Sequence, residues 1–423
     1  MLEGKVVAGK SSRIELKIQT SHEYIKANSL NKLYFLSSVL AERGASKSGP
    51  INLALLIDAS GSMGAEGKLE HAKEAAKMFV NGLKEDLLAV YSFSDFVREI
   101  VPAQVVSNKG KINSKIDAIE LGGGTALFKA LREVRDNLKR AKVTSMANRL
   151  IVITDGCPTS DEQLFTSDSE WRRYSENFAI ETLEKGISIT AIGVGSDYNE
   201  TILSALGAKS GGEFKHIKDA SELKGYLQER LYSLQKIVAD NCILHIITTP
   251  GSECTVFSHR DVLLEGNDIK VKLGSLEEGT MEVAGEIVVD PKPPGAFRIA
   301  RGFIEYNDPA GGFIGARTEP FNVVVSATDN MDLIVKGRNA TIIERVTTYR
   351  MAIDTLQAAK TGNVEEITRR LEELTRRPDL DQKTLKEFKT MLIEAQQTRR
   401  IDTKQLLSQT QRIMEGKQKE GEM

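Results

Sequence analysis

Cysteine is scarce in this chain. Cys157, Cys242 and Cys254 are the only three in 423 residues, too few and too scattered for the disulfide framework that staples small exported domains. Charge excess is missing as well: 57 Lys and Arg stand against 59 Asp and Glu, a formal net charge of −2, which argues against polyanion or nucleic-acid binding by bulk electrostatics. No window approaches eighteen consecutive apolar residues, so no helical membrane insertion is expected. Met1 to Lys10 lacks the charged start, apolar run and small-residue cleavage site of a signal peptide. The expectation from these absences is a cytoplasmic protein. The usual enzyme signatures are also lacking. There is no Gly-x-x-x-x-Gly-Lys-Ser/Thr loop and no Gly-x-Ser-x-Gly elbow, and Gly193-Val194-Gly195-Ser196 is a tight turn without the dinucleotide fingerprint.

What remains has the composition of an ordinary globular protein, 40% apolar and 27% charged, at a length that suits two or three domains. Arg13–Ala27 alternates apolar and polar residues and Lys32–Ala41 is apolar and aromatic, so both read as strands in need of a sheet. From Ile51 the pattern changes to INLALLID, a continuous apolar run expected of a strand buried on both faces. Helical spacing at 68–84, strands at 87–93, 98–106, 149–153 and 187–194, and helices at 174–185 and 221–237 predict a doubly wound, mostly parallel α/β sheet. Beyond Ala239 come short β-branched runs separated by Gly, Pro and Asn turns: CILHIITT, DVLLEG, DIKVKLG, MEVAGEIVVD, FRIARGFIEY and FNVVVSAT. These predict an antiparallel β-sandwich completed by the N-terminal strands, with the α/β domain inserted into it. From 341 to 415 a helical pattern with breaks at 361–363 and 377–378 predicts a bundle of three or four helices. The expected domains are therefore N-terminal sandwich strands at 1–48, the α/β domain at 49–237, the rest of the sandwich at 238–338, a helical domain at 339–415 and a tail at 416–423.

Asp58, Ser60 and Ser62 follow the first buried strand, where an open α/β sheet presents ligands from its loops. Three side-chain oxygens at alternate positions suit a small hard cation such as Mg2+, which prefers oxygen ligands and retains several waters. Gly122-Gly123-Gly124-Thr125 precedes a helix and Thr154-Asp155-Gly156 ends a later strand, so all three clusters are expected on one rim of the sheet. A helix cap plus a turn is the alternative reading of the same residue types. Cys242-x-x-His245 with Cys254 and His259 has zinc-like spacing, but residues three or five apart on a strand face opposite sides. Arg369, Arg370, Arg376, Arg377, Arg399 and Arg400 are interleaved with glutamates and read as a solvated, ion-paired helix face. Thr398, Thr403, Ser408 and Thr410 near the end are candidate phosphorylation sites.

The segments LLIDASGSMG, LGGGTALF and LIVITDG resemble the three sequence blocks of von Willebrand factor A (vWA) domains, and the resemblance covers residues 51–235. It implies a complete metal-ion-dependent adhesion site. Ser60 and Ser62 would coordinate Mg2+ or Mn2+ directly, Thr125 would do so in the ligand-engaged form, and Asp58 and Asp155 would act largely through water. The carboxylate of a partner's Asp or Glu would complete the shell. The implied function is a cytosolic scaffold or adaptor, with no cofactor beyond the cation and no catalytic residue, since no His, Lys or unpaired carboxylate near the blocks stands out as a general base. The three-part layout is similar to that of COPII inner-coat subunits and of prokaryotic cytosolic vWA regulators. That similarity brings in a forkhead-associated protein or a Ser/Thr kinase as partners of a phosphorylation-linked complex. The alternative is a metal-binding accessory subunit of an AAA+ ATPase of the MoxR or chelatase type, and a metal-dependent hydrolase is the third reading.

Overall fold

All eight residues of Ile51–Asp58 are buried, and their alternation divides them between two cores. Leu53, Leu55 and Ile57 pack on one side with helices Lys68–Gly82 and Leu223–Leu234, while Ala54 and Leu56 pack on the other with Leu127–Arg140, Asp168–Glu184 and Glu200–Lys209. A strand covered on both faces has no use for polar residues, which is why the sequence shows a run instead of an alternation. In this computed structural model, which describes residues 12–43, 49–140, 146–361, 363–398 and 400–414, that strand lies near the middle of a six-stranded sheet. The spatial order is Val97–Val105, Leu87–Phe93, Ile51–Asp58, Ala147–Thr154, Ile187–Val194 and Glu213–Ile217. Only Val97–Val105 runs antiparallel to its neighbour. The chain winds outward first to one side of Ile51–Asp58 and then to the other, so the strand order reverses between it and Ala147–Thr154. Ligand crevices of open α/β sheets form at such a switch point.

The sandwich encloses this insertion in sequence. Ser12–Thr20, Asn31–Arg43, Gly279–Val289 and Ser252–Phe257 make one sheet, and Val262–Glu265, Asp268–Glu277, Ile237–Thr248, Gly295–Asp308, Phe321–Thr328 and Tyr24–Lys26 make the other, with Phe313–Arg317 on Gly295–Asp308. The expected single strand at 13–27 is two strands in opposite sheets. The chain breaks at the fully buried Ser21, whose hydroxyl accepts from the Tyr34 backbone. Tyr24–Lys26 pairs in parallel with Phe321–Thr328, a departure from a purely antiparallel sandwich. The expected helix at 221–237 is shorter: a 3-10 turn at Ala220–Glu222, capped by Asp219, leads into Leu223–Leu234, and Ile237 already opens a strand. Cys242 and Cys254 belong to the sandwich core, whereas His245 pairs with Asp268 at 2.9 Å and stacks on Phe303. The zinc-like spacing therefore does not converge.

Helices Ala340–Thr361, Val364–Thr375, Gln382–Thr398 and Thr403–Met414 form one cluster with Leu36 and Ala284 of the sandwich. Arg369 and Arg370 are ion-paired to Glu366 and Glu373, and Arg377 to Asp379. Arg399 and the tail expected at 416–423 lie outside the described residues. Ser408 and Thr410 are buried in the last helix, which removes them as accessible phosphorylation sites, while Thr398 is exposed.

The inserted domain is tied to the sandwich by a buried polar contact. Arg149, 2% exposed, donates to Asp240 Oδ1 at 3.0 Å and to Ser275 Oγ, and Ser275 donates in turn to Asp240. Removing one member of a buried ion pair strands the other charge. Arg149→Ala is therefore expected to cost about 3–5 kcal/mol in urea unfolding, and the apolar pair Arg149→Met with Asp240→Leu to recover most of that loss.

Candidate functional site

Register fixes the site. Ile57 pairs with Ile153 across adjacent parallel strands, so Asp58 and the segment Thr154-Asp155-Gly156 leave the sheet side by side. Asp58 folds its own loop: Oδ1 accepts from the Ser60 backbone at 2.8 Å, and Oδ2 accepts from the Thr154 hydroxyl. Ser60 Oγ lies 3.1 Å from Ser62 Oγ, and Ser62 Oγ donates to Asp155 Oδ1 at 2.7 Å. Two loops separated by some sixty residues are stitched together through backbone, since Gly61 N donates to Gly123 O at 2.9 Å and Gly122 N to Ala59 O at 2.6 Å.

Thr125 is held by its main chain. Its N–H donates to Thr159 Oγ1 at 2.8 Å and its carbonyl accepts from Thr159 and Ser160. Its hydroxyl makes no hydrogen bond among the described residues. A Cβ at Gly156 would stand 3.1 Å from Thr125 Oγ1 and 3.8 Å from Asp58 Oδ2, so the bare backbone there leaves the space between those two groups open. Gly124 has a stricter requirement: a Cβ would fall 2.0 Å from Ser160 Oγ and 2.6 Å from Asp95 Oδ1. The structure thus brings Asp58, Ser60, Ser62, Thr125 and Asp155 to one rim. All but Ser62 are buried.

Sequence reasoning missed three contributors. Lys68 opens helix Lys68–Gly82 and is 4% exposed, and its ammonium donates to Asp155 Oδ2 at 2.7 Å. A lysine thus stands against the three blocks, paired with Asp155. The available signal was a cation in the first turn of a helix, where the macrodipole disfavours positive charge. Asp95, just past Leu87–Phe93, accepts from Gly124 N and Ser160 Oγ, and those bonds hold its carboxyl below the usual range. Thr154 supplies the hydroxyl on Asp58.

Electrostatically the two core carboxylates differ. Asp155 has Lys68. Asp58 is fully buried with no ion-pair partner among the described residues, and burial pushes its carboxyl up to about 6, with the Asp155 charge adding to the rise and the hydrogen bonds from Thr154 and Ser60 opposing it. Cys157 is exposed, donates its thiol to Asp197 O at 3.4 Å and takes no part in the cluster. Among the described residues, no group of three or more His, Cys, Asp or Glu is placed to hold a metal. The oxygens gathered here come mainly from hydroxyls.

Residues 52–230 match the family model described as von Willebrand factor type A domain. Among solved structures, a von Willebrand factor type A protein from Catenulispora acidiphila superposes with TM-score 0.75 at 16% identity, covering 97% of this chain and 99% of that one. The ArnB paralog VWA2 from Sulfolobus acidocaldarius gives 0.67 at 21% identity, covering 95% and 98%. A human COPII-coat protein gives 0.59 at 13% identity, covering 88% and 58%. An uncharacterized protein of Synechocystis sp. is 24% identical over 290 residues, 65% of this chain and 66% of its own length. This chain therefore spans just under two thirds of that curated relative. At these identities the likeness is one of fold, and the chain carries a von Willebrand factor type A domain fold extended by further β-sheets and a C-terminal helical region.

Proposed function

We propose that this protein is an adaptor that binds an acidic side chain of a partner protein through a divalent cation, Mg2+ or Mn2+, at the rim formed by Asp58, Ser60, Ser62, Thr125 and Asp155. The observation that carries this reading is the mismatch at Asp58: a carboxylate wholly removed from water with, among the described residues, no cation beside it, bordering the same space at Gly156 as the Thr125 hydroxyl, which has no hydrogen-bond partner among those residues. Burying an uncompensated charge is costly unless something neutralises it. Hydroxyls from Ser60, Ser62 and Thr125 would contact the ion, with Asp58 and Asp155 acting through water. When bound, the cation supplies a strong local positive charge that an external Asp or Glu can satisfy.

The chain's own residues set how tightly that happens. The Lys68 ammonium cancels the charge of Asp155, so Lys68, Asp155 and Asp58 together offer a divalent ion no more than one net negative charge. Such a site favours its cation weakly until an outside carboxylate arrives, which makes ion and partner binding mutually reinforcing. Lys68 is tied up in this pair and is not a free base, in keeping with binding rather than turnover.

Titration calorimetry and Mn2+ paramagnetic resonance should detect one Mn2+ site that Ser60→Ala or Asp58→Asn abolishes. Absence of that site in the wild type would overturn the proposal. Lys68→Met is expected to tighten Mn2+ roughly tenfold, because a positive charge a few ångströms away is removed. In chelator the sign for stability reverses at Asp58. Its folded pKa of about 6 lies above the ordinary 3.8, so the native state holds the proton more tightly. The resulting destabilisation is absent below pH 4, grows as pH rises through 4 to 6 and is complete above. Asp58→Asn should therefore stabilise the chelated protein at pH 7 by about 1–3 kcal/mol and confer little near pH 4, as read by urea unfolding.

A further inference from the structure

A cavity of about 560 Å³ lies where the three parts of the chain meet, away from the rim just described. Its walls come from strand Glu213–Ile217 and helix Leu223–Leu234 of the inserted domain, from the turn joining Asp268–Glu277 to Gly279–Val289 in the sandwich, and from the last two helices. That volume is within the range of small-molecule sites, which occur preferentially between domains.

The charges in the wall are unevenly satisfied. Arg230 is engaged by Glu213 at 3.1 Å and Glu277 at 3.0 Å. Lys215, Lys236, Lys383 and Arg412, contributed by both the inserted and helical domains, have no ion-pair partner among the described residues. Three of these four are half-buried, whereas the unpaired wall acids, Glu229 and Glu278, are exposed at the rim. The Lys215 ammonium lies over the face of Tyr226, at 5.7 Å from the ring centroid. Burial pulls its ammonium below the usual range; nearby Lys383 and Arg412 add to that pull, and Glu387 and Glu213 oppose it. Gln409, 6% exposed, has a buried amide oxygen without a hydrogen-bond partner among the described residues. Half-buried cations that repel one another are costly to keep unless an anion joins them, and an unpartnered acceptor beside them calls for a ligand that also carries a donor.

We propose that this cavity binds a small organic or inorganic polyanion, bearing phosphate or carboxylate groups, clasped by Lys215, Lys383 and Arg412 with Tyr226 and Gln409 beside them. Bound there, the anion bridges the inserted and helical domains and stabilises their packing. The site is independent of the cation-binding proposal, and its test is run on the full chain in chelator to keep the two apart.

Titration calorimetry and thermal unfolding with pyrophosphate, citrate and a glutamate-rich peptide distinguish the sources of negative charge. Pyrophosphate or citrate is expected to bind with Kd below about 100 µM at low salt, to weaken as salt rises, and to raise the unfolding temperature. Lys215→Met with Arg412→Gln should weaken binding at least tenfold, whereas Lys215→Arg should preserve it. Lys383 is exposed, so Lys383→Ala is expected to leave the fold intact and should weaken binding about threefold, the loss of one solvent-screened contact. Three results would each overturn the proposal: no heat from either small anion at millimolar concentration, affinity unchanged in all the charge-removing variants, or tighter binding of the peptide than of both small anions.

Discussion

The alignment of two parallel strands governs everything on the functional rim. Ile51–Asp58 and Ala147–Thr154 are in register with Ile57 opposite Ile153, and both are buried along their whole length. Slipping a buried strand by one residue would exchange its two faces and put Leu53, Leu55 and Ile57 where Ala54 and Leu56 belong. Packing on both faces therefore locks the register, and the register sets Asp58 beside Thr154 and Asp155. The positions of the polar groups at the sheet edge follow from apolar contacts several residues away, without any attraction between the two carboxylates, which repel.

Such an arrangement needs compensation, and the chain compensates its two acids differently. Asp155 is neutralised internally by Lys68, while Asp58 is left with hydrogen bonds from Ser60 and Thr154 and no counter-charge among the described residues. Two hydrogen bonds to a charged group recover only part of the desolvation of a fully buried carboxylate. The fold tolerates the imbalance because large apolar cores lie directly beneath it on both sides of the sheet. Local destabilisation of this kind is common at sites shaped for binding rather than for stability.

Legibility in the sequence follows how local each signal is. INLALLID could be read as a doubly buried strand because its mostly apolar run carries the message by itself, and the place of DASGSMG at the end of that strand could be read because the loop directly follows the run. The inserted arrangement was legible because the composition changes at Ile51 and again near Ala239. Asp95 was not, since it acts on residues from other loops and nothing in its own neighbourhood marks the contact. Lys68 left only a cation in the first turn of a helix, which does not say which acid it meets. Glu213–Ile217 escaped because EFKHI carries only two buried residues, and an edge strand needs one apolar face at most. The split of 13–27 escaped for the opposite reason. Alternation continues through the break, and only the buried hydroxyl of Ser21 and the two-sheet architecture make the chain cross over.

Polar contacts also help hold the three parts of the chain together. Besides the apolar cluster that Leu36 and Ala284 share with the helices, their junctions use directional polar contacts: Arg149 to Asp240 and Ser275 between the insertion and the sandwich, and Arg345 to Glu282 at 2.9 Å between sandwich and helices. Between insertion and helices, Lys404 donates to the carbonyls of Ser196 and Tyr198 and lies over the Tyr198 ring at 4.2 Å. Backbone carbonyls are obligatory acceptors whose positions are set by the strand they end, so Lys404 measures the loop after Ile187–Val194 instead of a mobile side chain. That loop begins at Gly195, where a Cβ would meet the Lys68 side chain at 3.3 Å. One loop is thus gripped by the last helix on one side and abuts the residue that neutralises Asp155 on the other. The residue that neutralises Asp155 therefore lies against a loop that the helical domain holds from its other side.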